Sequence, residues 1–129
     1  MNYVYSGVDD LKGKPKVGTQ ECVALIRRYT NAGPTALWRR GPDVAGNLAV
    51  SKGTAIATFV NGRYLSLSHG NHAAFFVRQG LGGIYIMDQW RSKNKKSISE
   101  HFIKSKGMNA DGTFKDPSNN ADAFSVIER

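Results

Sequence analysis

At 129 residues the chain suits one compact domain and is too short for two. A hydrophobic share of 40% beside 22% charged residues excludes global disorder, and no apolar run is long enough to cross a bilayer. Lys and Arg total 18 against 10 Asp and Glu, a net charge of +8 that suits an anionic partner, while a single cysteine excludes an internal disulfide.

The first ten residues have no basic segment followed by an apolar one. They predict no cleavable leader, so the expectation is synthesis in the cytoplasm and export by a route that needs none. Residues 1–17 read as an irregular arm. From Gly18-Thr19-Gln20-Glu21 the chain is expected to enter a helix over about residues 20–31, because Cys22, Leu25, Ile26 and Tyr29 fall at i, i+3, i+4 and i+7. Asn31-Ala32-Gly33-Pro34 ends it. Residues 35–53 read as helical turns and loops, with Trp38 either in the core or in the wall of a substrate cleft.

From Thr54 the hydrophobic period changes to that of strands. Residues 54–60 form one strand, closed by Asn61-Gly62, a two-residue hairpin signal that residues 63–67 could continue. A loop through Ser68, His69 and Asn71 leads to a strand over 72–77, a glycine-rich turn over 79–83, and a strand over 84–90. The last two are expected to pair antiparallel. Residues 97–103 read as a strand or helical turn, 107–120 as a polar loop, and 123–127 as a final strand. A helix followed by strands, with no βαβ alternation, predicts an α+β domain over 1–129 with an antiparallel sheet.

The chemistry concentrates on Cys22. A cysteine in a helix is most often a small buried hydrophobe, but near the helix start the unpaired N–H groups and the dipole favour a thiolate. A thiol nucleophile needs a base, and the base needs a group to orient its ring. If strands 72–77 and 84–90 are antiparallel neighbours, His72 and Asp88 meet at one sheet edge, where Cys22 could be presented. His69 is the alternative base, and His101 lies in a less regular basic region. Gln20, Trp38, His69, Asn71 and Gln89 are candidate substrate contacts, with Gln20 an extra oxyanion donor. One cysteine and three scattered histidines offer no metal-ligand spacing, and no cofactor is expected.

Gln20-Glu21-Cys22-Val23, Asn71-His72-Ala73-Ala74-Phe75-Phe76-Val77 and Ile86-Met87-Asp88-Gln89-Trp90 resemble the Cys, His and third polar residue of compact papain-like amidases, the NlpC and CHAP peptidoglycan hydrolases. Glu21-Cys22-Val23 is closer to the CHAP style than to the usual NlpC start. The resemblance spans about residues 18–90 and implies a papain-like (NlpC/CHAP) fold, with the cysteine helix packed on an antiparallel sheet. Small size, basic charge and no leader look most like the type VI secretion amidase effectors. The resemblance then implies cleavage of a peptidoglycan amide in a rival's periplasm, with the diaminopimelate–D-Ala crosslink favoured over the D-Glu–diaminopimelate bond. It also implies an inhibitory immunity protein as partner.

Two other classes compete with that reading. A protein deamidase or acyltransferase could use the same three residues. A basic nucleic-acid-binding module is disfavoured, because the cations do not alternate with aromatics along one element and no nucleic-acid motif is present. The densest cationic group, Lys93, Lys95 and Lys96 beside Arg91, reads as a solvated loop.

Overall fold

The computed structural model describes residues 2–67 and 70–129. Its frame is one antiparallel sheet of six strands: β1 (Arg39–Asp43), β2 (Ala55–Thr58), β3 (Ala73–Gly80), β4 (Gly83–Asp88), β5 (Ser99–Lys104) and β6 (Phe124–Glu128). Their order across the sheet is β1-β6-β2-β3-β4-β5. Among the described residues there is one α-helix, α1 (Cys22–Tyr29), which packs on β3. This is the expected α+β arrangement, with the cysteine at the helix start.

The helix is shorter than its periodicity predicts, for local reasons at each end. Gln20 adopts a left-handed φ of 72°, which cannot continue into a helix, and Glu21 is extended. At the other end Thr30 is extended, and both its backbone N–H (3.0 Å) and its hydroxyl (2.8 Å) donate to the Ile26 carbonyl oxygen, closing the last turn.

Strand β1 departs from the expectation of turns and loops over 35–53. Arg39-Arg40-Gly41-Pro42-Asp43 has no strand-forming pattern, and its strand exists because β6 offers a free edge. Proline is tolerated there because an edge strand need not donate on its outer side. The Asn61-Gly62 turn forms as expected, with both residues at positive φ and reciprocal backbone bonds between Val60 and Arg63 of 2.8 and 3.0 Å. Residues 63–67 form no strand. Tyr64 is buried instead, packed edge-on against Trp38 with ring centroids 5.2 Å apart.

Side chains on β3 and β4 alternate between two cores. Ala73, Phe75, Val77 and Met87 pack with Leu25 and Ile26 of α1 on one face of the sheet. Ala74, Phe76, Ile84 and Ile86 pack with Ile103, Phe124 and Val126 on the other. His72, Asp88 and His101 share the parity of this second set. The register places Asp88 opposite Ser99 and Ile86 opposite His101, so strands β3, β4 and β5 bring polar groups together at one end of an apolar face.

Candidate active site

Cys22 opens α1, half-buried, where the N–H groups of the first turn have no partner inside the helix. The entry segment is anchored by Gln89. Its Oε1 accepts the Val17 N–H at 2.9 Å, and its Nε2 donates to the carbonyl oxygens of Val17 (3.0 Å) and Glu21 (2.8 Å). Gln89 is fully buried, so every polar atom of its amide serves to hold the cysteine loop against the end of β4. This corrects its expected role as a substrate contact.

The His72 imidazole stands beside the Cys22 thiol, and Tyr64 Oη lies 3.7 Å from Sγ. Burial opposes ionisation of the thiol. The hydrogen bond and charge of His72, with smaller help from Tyr64 and the Ala73 N–H, outweigh it and bring the thiol below its ordinary value. His72 Nε2 lies 2.7 Å from Asp88 Oδ2, which leaves Nδ1 for the cysteine. Burial disfavours the imidazolium, but the Asp88 and Cys22 bonds reverse that and raise His72 to about 9. The arrangement favours a thiolate beside an imidazolium.

Asp88 is completely buried and accepts three donors. Oδ2 takes His72 and, at 2.8 Å, His101 Nε2; Oδ1 takes Lys95 Nζ at 3.1 Å. Burial pushes its carboxyl up, but bonds from His101 and His72 and their charges hold it well below the usual carboxylate range. Tyr64 stays a neutral phenol, since burial and the nearby Cys22 charge both raise it far above the ordinary value. Asn71 Nδ2 donates to Tyr64 Oη at 3.1 Å, which leaves the phenolic proton free to point at the sulfur.

The other expected contacts divide. Asn71 lines a cavity of about 250 Å³ with His72, Trp90, His101, Ser118 and Asn119. Trp38 is wholly in the core, its indole N–H shared between the Ala32 and Gly33 carbonyl oxygens at 3.2 Å, and it backs Tyr64 rather than walling a cleft. Gln20 is exposed and lines a separate groove of about 540 Å³ with Lys16, Arg91, Ser92, Lys93, Lys95 and Lys96. His69 lies outside the described residues. Among those described, no group of three or more His, Cys, Asp or Glu could hold a metal ion.

Three residues of the site escaped sequence reading. Tyr64 was hidden in a presumed hairpin strand, and nothing local marks it. His101 had one usable signal, since a strand over 97–103 would put it on the same face as Ile103. Lys95, expected in solvent, is only 7% exposed, because a buried carboxylate far along no single element receives it.

The sequence matches the model of the family described as domesticated amidase effector 2 over residues 4–127. The chain belongs to that family. It is also 43% identical to a type VI secretion amidase effector 2 protein of Salmonella typhi, covering 99% of this chain and all of that one. A solved structure of a type 6 secretion amidase effector 2 superposes with a TM-score of 0.92 at 43% identity, over 98% of this chain and 94% of that chain. At this likeness the α+β frame described above is the frame of the amidase effector 2 family.

Proposed function

We propose that this protein is a cysteine amidase that hydrolyses an amide bond in the peptide part of peptidoglycan. The observation that carries the reading is the continuous chain from the Cys22 thiol through His72 to the buried Asp88, set in a member of an amidase effector family. Cys22 thiolate attacks the carbonyl carbon, and the oxyanion that forms is met by backbone N–H groups of the helix start. His72, as imidazolium, gives its proton to the leaving amine as the C–N bond breaks. Now neutral, it takes a proton from water, which attacks the thioester and releases the acid and the thiol. Asp88 fixes the ring so that Nδ1 faces sulfur throughout.

The cationic groove fits this substrate. Among the described residues Arg91, Lys93 and Lys96 pair with no carboxylate, and they lie on the segment that follows Trp90, beside the site. Stem peptides carry carboxylates that such a groove can attract. The diaminopimelate–D-Ala crosslink is the bond favoured for cleavage. As a type VI effector the protein would be delivered into the periplasm of a target bacterium and held in check at home by a cognate immunity protein.

Digestion of purified Gram-negative peptidoglycan by the wild type and by Cys22→Ala tests the reading, with muropeptides identified by chromatography and mass spectrometry. Loss of crosslinked dimers with the wild type alone is the expected result. Loss of uncrosslinked stems instead would move the cut to the D-Glu–diaminopimelate bond. Identical, unchanged profiles would remove the cell wall as substrate and leave protein deamidation as the reaction to assay.

A further inference from the structure

We infer that Lys95 and His101 are positioning residues of the catalytic centre: by sharing the Asp88 carboxylate with His72, they fix its orientation and limit the negative charge it exerts on that imidazole. The inference rests on the assignment of Cys22, His72 and Asp88 proposed above.

The geometry is unusual for a lysine. Lys95 is buried, its Nζ bonded to Asp88 Oδ1 and to Ser99 Oγ and poised 4.1 Å from the Trp90 ring centroid. A buried ammonium is costly unless paired, and removing either partner of such a pair leaves an uncompensated charge. The sheet supplies the rest. Ser99 stands opposite Asp88 and His101 opposite Ile86, so β5 carries both partners on the catalytic face. Trp90 meets the His72 and His101 rings in T-shaped contacts at 6.2 and 5.8 Å.

His72 has two jobs that pull in opposite directions. It must hold a proton for the leaving amine, then be neutral enough to take one from water. A buried carboxylate bonded to His72 alone would favour the imidazolium more strongly and impair the second job. Here Oδ2 is divided between two imidazoles and Oδ1 faces an ammonium. The titratable groups around the carboxylate are His72 from just before β3, His101 from β5 and Lys95 from the β4–β5 loop. Through His72 it also feels Cys22 of α1, with Tyr64 behind the sulfur.

The sign of the effect follows. A cation at Lys95 stabilises the thiolate and destabilises the imidazolium, so its removal makes both groups harder to deprotonate. Alkylation of Cys22 by iodoacetamide, followed across roughly pH 4 to 10, reads both ionisations without any substrate. In Lys95→Met both inflections should rise by about half a pH unit to one unit, while Lys95→Arg keeps them at wild-type positions. His101→Phe should raise them in the same direction, and His101→Gln, whose amide can still donate to Oδ2, should restore them. At neutral pH, turnover of peptidoglycan by Lys95→Met should fall about 10-fold.

Inflections that stay in place in a Lys95→Met protein with a wild-type melting temperature would overturn the inference. Should that variant not fold, the two His101 variants decide: equal inflections in both would overturn it as well. Because alkylation uses no cell wall, a protein that titrates as expected but leaves peptidoglycan intact would refute the substrate reading and not this one.

Discussion

Gln89 Nε2 donates to the Glu21 carbonyl oxygen across 2.8 Å, tying the residue after Asp88 to the residue before Cys22. Cys22 and Asp88 are thus located by one side chain, independently of the helix packing. Replacing Gln89 by Leu would leave the Val17 N–H unpaired and take one of two donors from each of the Val17 and Glu21 carbonyl oxygens, which keep the N–H groups of Gln20 and Ala24. The expected loss is about 2–4 kcal/mol of stability, read by thermal or urea unfolding. Alkylation of Cys22 should slow in parallel, since the cysteine loop loses its anchor to β4.

Tyr64 contributes a neutral O–H beside the sulfur, with Asn71 occupying its lone pair from the other side. A donor so placed stabilises negative charge at or near the reacting atoms. Tyr64→Phe should lower kcat about 10- to 100-fold with little change in KM. Steady-state kinetics on solubilised crosslinked muropeptides will separate the two parameters. The melting temperature should barely move, because the ring and its contact with Trp38 remain.

The two charged partners give opposite linkages between pH and stability. His72 is raised from 6.5 to about 9, so its contribution is complete below 6.5 and is lost as pH rises through about 9. Cys22 is lowered from 9.0, so its contribution is complete above 9.0 and is lost as pH falls through the depressed value. In the wild type these slopes oppose each other between pH 6.5 and 9. Cys22→Ala removes the second and weakens the first, which Asp88 still sustains. Its melting temperature should therefore fall with pH over that window more steeply than the wild type's, and calorimetry in matched buffers checks this.

The groove beside the site should act on binding rather than on chemistry. Arg91→Glu combined with Lys93→Glu removes most of its positive charge without touching Lys95 or Asp88. The expected outcome is a KM for peptidoglycan raised about 10-fold at low salt, with kcat within about twofold of wild type. Co-sedimentation with intact cell wall should weaken as ionic strength rises for the wild type, and the double variant should be less sensitive.

Much of the frame was legible because it depends on local pattern. The strands at 54–60, 72–77 and 84–90 were found by period and turn chemistry, within a few residues of β2, β3 and β4. Strand β1 was not, since two arginines, a glycine and a proline become a strand only where β6 offers hydrogen bonds. By type alone Trp38 suits either the core or a cleft wall, and Gln89 reads as a candidate substrate contact though its type also suits the interior. Their partners, the carbonyls of Ala32 and Gly33 and the backbone of Val17 and Glu21, cannot be inferred from either residue's neighbours.

By itself the sequence determined a single α+β domain, a cysteine at a helix start, and a histidine and an aspartate on consecutive strands. These follow from periodicities of 3.6 and 2 and from the antiparallel pairing a glycine turn enforces. Only the tertiary structure decided what surrounds them. Asp88 serves His101 and Lys95 as well as His72, and Tyr64 reaches the sulfur from 42 residues away. The physical reason is that burial and hydrogen bonding depend on distance in space, which sheet register and loop path set and which no local run of residues encodes.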